Sequence, residues 1–289
     1  MPTEATLLNP TGLLDHYAVD LLFADDPEPD AALERLAELA RRAEEGGRFS
    51  VASSDLASGL TVRAAATLER GAPPEWTLAA PAPLDRSTLA EALQQSWWWR
   101  DAEPAVARCT RRRTLSDHLF VTLDHRRRLD LFQQVLALAV EHLSCHALVW
   151  RPSQQLVDPV AFLDSMRDDG TESPLPGALN VRLFRVEPAG DEAGGSCVMD
   201  TLGLGGLGLV DLQCCFRGLD PEEVGRVLYA TGLYLWQHGA VIRAGSSVQG
   251  PRPGDRWSCR AGVALAGPER EVLDLDPGFP FAAGEAAAR

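Results

Sequence analysis

One stretch of the chain is spaced for cofactor chemistry. Residues 199–208, MDTLGLGGLG, contain the order G-x-G-x-x-G at Gly203, Gly205 and Gly208. In a dinucleotide fold those glycines leave a strand and open a helix, whose first amides hold the pyrophosphate. Here SCVMDT can supply the strand, but LVDLQCCF follows Gly208 with the alternation of another strand, and a helix begins only at Pro221. Leu202, Leu204, Leu207 and Leu209 are also bulky where a phosphate cradle needs small or polar residues. The context predicts a glycine turn or bulge that lets backbone pass close to another element, with no cofactor.

Other constellations are thinner. Asp200 and Asp211 could form an acid–base pair, with Arg182 as an anion contact. His142 and His146 stand at i, i+4 with Cys145 between them. A helix could aim such a set at one metal ion, but CHALVW reads as a strand that sends Cys145 and His146 to opposite faces. No CxxC completes a site, and no metal is expected. Ser246-Ser247 lacks the nucleophile elbow, and the adjacent Cys214 and Cys215 read as core. No catalytic set is complete. The arginine triplets 111–113 and 126–128 are expected to flank a strand about 25 Å long and to form solvated, locally paired faces. Trp97-Trp98-Trp99 is the most unusual run, because three successive indoles cannot all face one core. At least one must reach a surface, a domain junction or an interface, and tryptophan is enriched at binding hot spots.

The elements that must position these residues follow from periodicity. A strand at 17–23 precedes a helix near 30–45, which Gly46-Gly47 closes before RFSVASS. Next come a strand at 60–69 and a helix from Ser87. A second unit has HLFVTLD (118–124), a helix at 127–143 and CHALVWR (145–151). A third has VDLQCCF (210–216), a helix over 221–238 and AVIRA (240–244). In that third helix Asp220 is a natural N-cap, Pro221 suits the first position, Glu222 and Glu223 complement the dipole, and Gly239 ends it. Asp158-Pro159 opens a short helix by the same logic. ALNVRLFRVE and the pair flanking QGPRPGDR supply further strands. Residues 13–124 thus give β-α-β-β-α-β, the ferredoxin-like order. The expected fold class is α+β, with tandem ferredoxin-like strand-helix-strand units and mostly antiparallel sheets. The expected parts are a flexible segment 1–12, an α+β domain 13–166, a linker at 167–177, an α+β domain 178–278 and a disordered tail 279–289.

Composition excludes whole classes of activity. A net charge of −14 argues against nucleic-acid and anionic-membrane partners, whose affinity rests on basic contacts. There is no lysine, so all 27 basic residues are arginine. Schiff-base chemistry and a P-loop lysine are thereby removed. The N-terminus has no basic n-region with an apolar run behind it, and the six cysteines are scattered. Reduced thiols in the cytoplasm are expected.

The C-terminal part, about residues 198–278, resembles a bacterial domain-of-unknown-function family, number 4261. The resemblance is carried by Met199–Leu204, Leu207–Leu209, Asp211–Gln213, Asp220-Pro221 and the helix through Tyr234, and is extended by AVIRAGSSVQG and PEREVLDLDPG. It implies an α+β domain in a soluble bacterial protein and makes TLGLGGLGL a structural signature. It brings no activity, cofactor or catalytic residue. The expected role is a non-catalytic adaptor or immunity-type protein that binds another bacterial protein. The rival is a small-molecule enzyme using carboxylates and arginines. The surface candidates are Trp97, Trp98, Trp99, Arg182, Asp200 and Asp211; the oligomeric state is left open.

Overall fold

A computed structural model describes residues 17–24, 49–55, 59–64, 75–118, 123–167, 175–186 and 195–283. The expected segment 1–12, the helix near 30–45, the second half of the 60–69 strand, and most of the 167–177 linker and of the 279–289 tail lie outside them. The chain has the α+β composition and mostly antiparallel sheets expected. It divides into two compact units, residues 14–178 and the part from Leu179 onward.

The first unit is built on one sheet. Its strands are β1 (Ala18–Phe23), β2 (Phe49–Asp55), β3 (Gly59–Ala64), β4 (Glu75–Ala79), β5 (Ala82–Pro83), β6 (Arg111–His118), β7 (Ala147–Trp150) and β8 (Gln155–Val157). They run in the order β2-β3-β4-β6-β1-β7-β8, with β5 beside β6. The apolar β1 is buried along its length and lies between β6 and β7, antiparallel to both. β6 and β7 are therefore mutually parallel, and the helix α3 (His125–His142) joining them makes a split β-α-β. Phe132 of α3 packs edge-on against Tyr17, at 5.0 Å between centroids, and Trp150 and Phe162 extend the aromatic core. Phe162 belongs to the short helix α4 (Pro159–Arg167), which begins where Asp158-Pro159 predicts.

Two expectations fail here. A strand spans Arg111–His118, so the first arginine triplet lies inside a strand instead of beside one, while residues 119–122 of the expected strand at 118–124 lie outside the described residues. β6 pairs with β1 from Ala18↔Ser116 to Phe23↔Arg111. Nor are the triplets simply solvated. Arg113 is 1% exposed, and Arg128 is buried against Asp117 through Nε–Oδ2 and Nη2–Oδ1 bonds of 2.7 and 3.0 Å. Three arginines oppose the dipole of α3, but Asp124 offsets this by accepting from the Arg126 and Arg127 amides.

The end of the presumed linker is structural. Leu175 and Ala178 are fully buried, and Gly177 carries φ +79° with its Cα against the indole of Trp150. A Cβ at Gly177 would fall inside that ring, and Ser153 Oγ donates to the Gly177 carbonyl.

The second unit has strands β9 (Asn180–Val186), β10 (Ser196–Leu202), β11 (Asp211–Phe216), β12 (Ser247–Gln249), β13 (Arg256–Val263) and β14 (Glu271–Asp276). Their order is β12-β13-β14-β11-β10-β9, and β11 pairs with β14 in parallel. The helix α5 spans Pro221–His238 with its predicted caps. Asp220 accepts from the Glu222 amide at 3.0 Å, and the Gly239 amide returns to the Leu235 carbonyl at 2.7 Å. One face of α5 packs on β9, β10 and β11. Gly225 and Gly232 bring it close, since a Cβ would stand 3.2 Å from Met199 Cε and 2.9 Å from Leu179 Cδ2. The strand expected at 240–244 is absent. Positive φ at Gly239 and Gly245 turns the chain, Val241 is exposed, and pairing with β13 starts only at Ser247.

Candidate functional site

Arg182, Asp200 and Asp211, singled out from the sequence, meet in the interior of the second unit. Asp200 and Arg182 are cross-strand partners on β10 and β9, so their side chains share one face. Arg182 donates to Asp200 through Nε at 2.9 Å and Nη2 at 2.6 Å, both residues being about 1% exposed or less. Arg270, just before β14, adds a third bond to Asp200 Oδ2 at 2.7 Å. Its Nε lies 3.4 Å from Asp211 Oδ2. Asp211 Oδ1 accepts from Thr201 Oγ1 and from the Leu204 amide, each at 3.1 Å. Two carboxylates and two guanidiniums thus neutralise one another, as buried charge requires.

The glycine stretch is explained by the same network. Leu204–Leu207 form one 3₁₀ turn between Gly203 at φ +124° and Gly208 at φ +76°, values that favour glycine at both ends. Leu202, Leu204, Leu207 and Leu209 are all buried. The Leu204 amide that a phosphate would need is taken by Asp211. The loop is a leucine plug pinned by a carboxylate.

Desolvation holds the Asp211 carboxyl above the usual carboxylate range, at about 6, although Arg270 pulls the other way. A proton donor of that strength suits acid–base work. Among the described residues, however, Asp200, Asp211 and Arg182 line neither the hollow of about 720 Å³ nor that of about 750 Å³. Sequence reasoning missed Arg270 and Thr201. Thr201 is next to Asp200, but Arg270 is distant in sequence and arrives through the parallel β11–β14 pairing.

The tryptophans divide as the packing argument requires. A 3₁₀ turn (Arg86–Leu89) leads into α1 (Ala90–Gln94), and α2 (Ala102–Ala107) follows the tryptophans. In the loop between α1 and α2, Trp97 is 45% and Trp98 58% exposed. Their rings stack, with centroids 3.6 Å apart and planes 26° from parallel. Trp99 turns inward and packs against the cluster of Leu22, Leu89, Val106 and Leu156. The loop is braced by Ser96 Oγ donating to the Leu93 carbonyl, and by the Trp99 and Ala102 amides returning to Ser96 and Trp99.

The hollow beside Trp99 holds Cys145, His146 and Asp158. Burial pushes the Cys145 thiol up to about 12, which leaves no thiolate nucleophile at neutral pH. His142, Cys145 and His146 form no metal cluster: among the described residues no three His, Cys, Asp or Glu side chains are grouped to hold an ion. All six cysteines are free, with Cys214 and Cys215 both buried in β11. Ser246 Oγ accepts the Arg243 amide in a turn. No helix among the described residues is long and apolar enough to cross a membrane.

Comparison with known proteins places residues 200–276 in match with a family described as Domain of unknown function (DUF4261). That segment begins at Asp200 and contains the leucine plug, α5 and Arg270. No curated protein and no solved structure gives a significant match.

Proposed function

We propose that this protein is a non-catalytic binding module, of adaptor or immunity type, that docks another protein through Trp97 and Trp98. The observation that carries the reading is the stacked, half-exposed indole pair. Full burial of a large apolar side chain is worth about 1.5–3 kcal/mol, so leaving each indole about half exposed forgoes roughly half of that. The loop is fixed by Trp99 beneath it, so docking would freeze few side-chain rotations. Aromatic anchors on a rigid support are the usual centre of a protein interface.

Charge favours a basic partner. A net charge of −14 speeds encounter with a cationic surface such as that of a toxin or nuclease. The enzyme alternative loses its motivating residues, because Asp200, Asp211 and Arg182 are committed to one another in the interior. The test is affinity capture from the source organism with the wild-type chain and with the Trp97→Ala/Trp98→Ala variant as baits. A protein retained by the wild type and absent from the variant supports the reading. Identical captured sets, or none, count against it.

A further inference from the structure

α5 has a second working face. Glu223, Arg226, Ala230 and Tyr234 follow one another at helical spacing on the side away from the sheet. The chain leaving the helix turns back at Gly239 and Gly245, so that 241–251 and Arg256 stand opposite them. The space between is a cleft of about 720 Å³, within the range of small-molecule sites. Val227, Ile242 and Val248 supply apolar wall, and the Tyr234 ring, tilted 4.4 Å from His238, stands at one end.

The cleft's arginines are its chemical content. The side chains of Arg226 and Arg256 form no hydrogen bond or ion pair among the described residues, whereas Arg182, Arg270, Arg128 and Arg151 are each held by an aspartate. Glu223 is one turn from Arg226, yet no ion pair closes between them. Gln249 is the cross-strand partner of Arg256, and its side-chain amide nitrogen bonds the Gly250 and Arg252 carbonyls. The cleft therefore carries a local positive excess in a protein of net charge −14. Its lining holds two guanidiniums against the one carboxylate of Glu223, and charges more than about 8 Å away are largely screened at physiological salt.

We propose that the cleft between α5 and residues 241–256 binds a small organic anion, a carboxylate or phosphate monoester on an apolar body. Arg226 and Arg256 grip the anion and Tyr234, Ile242 and Val227 cover the body. Planar guanidinium forks match both oxyanions in bidentate geometry. This site is independent of the tryptophan loop, and its test does not involve that surface.

The probes are phenyl phosphate, benzoate and inorganic phosphate, each titrated into the full chain and followed by amide and arginine Nε–H chemical shifts. Saturable shifts confined to residues 223–256 are expected from phenyl phosphate or benzoate, with a Kd of about 1 mM or tighter. Whichever saturates at the lower concentration identifies the oxyanion. Inorganic phosphate should bind more weakly, for lack of a body. Arg226→Gln and Arg256→Gln should each weaken binding about tenfold, and Arg256→Lys less. Both side chains lie at the surface, so unchanged spectra away from the cleft will show that the variants are folded. Absence of saturation by both aromatic probes at about 10 mM, or equal affinity in wild type and both glutamine variants, would overturn the proposal.

Discussion

Asp200 is the residue on which the second unit's polar interior turns, because Arg182 and Arg270 both donate to it. Asp200→Ala removes the carboxylate that Arg182 and Arg270 share, leaving Arg270 with Asp211, and breaking a buried pair in this way costs about 3–5 kcal/mol. Arg182→Met leaves Asp200 with Arg270 and should cost less, an order that urea denaturation of the two variants will check. Asp211 makes stability depend on pH with a definite sign. Its folded pKa of about 6 lies above the ordinary 3.8, chiefly through desolvation. Between those values the folded chain holds a proton that the unfolded chain has released. Its contribution is complete below about pH 3.8 and is lost as pH rises through 6. Asp211→Asn should therefore be less sensitive to pH than wild type across that window, by up to about 3 kcal/mol at 1.36 kcal/mol per unit. Parallel denaturant titrations at pH 4 and pH 7 read the difference; equal pH dependence would refute the assignment.

Elements were legible where their signals are local. The limits of α5 are set by Asp220, Pro221 and Gly239, all readable without tertiary structure, and the structure places the helix at Pro221–His238. Asp220→Ala should cost about 1 kcal/mol, visible as a lowered melting temperature. Asp158-Pro159 announced α4 in the same way. Where long-range pairing decides, the pattern misleads. RRRTLSDH has little strand composition, yet β1 pairs with its arginines. AVIRA has strand composition but no ladder to join. The convergence of Asp200 with Asp211 was an open question of distance, and Arg270 entered through a strand pairing that nothing local encodes. Gly177 shows the same limit: within a Pro- and Ser-rich stretch it reads as linker, but its contact with Trp150 makes it a packing position. Gly177→Ala combines a left-handed backbone cost of about 1–2 kcal/mol with overpacking of about 1–3 kcal/mol. Thermal unfolding should show that loss, whereas a residue in a true linker would tolerate alanine.

At the scale of the whole molecule, the described residues place Asp200 and Asp211 in an interior network and Trp97 and Trp98 on a braced loop. The proposed binding role rests on the half-exposed, stacked pair of Trp97 and Trp98, and the buried carboxylates are committed to arginines. The anion cleft along α5 adds a small-ligand site on the second unit, so each unit has a separate surface to engage. The central claim is that Trp97 and Trp98 form the anchor of a protein interface. Its most direct test is calorimetric titration of the captured partner into wild type, Trp97→Ala, Trp98→Ala and the double variant. The account predicts that each single change weakens binding by at least about 30-fold, the size of a hot-spot loss of 2 kcal/mol or more. A partner that binds the double variant with wild-type affinity would contradict it.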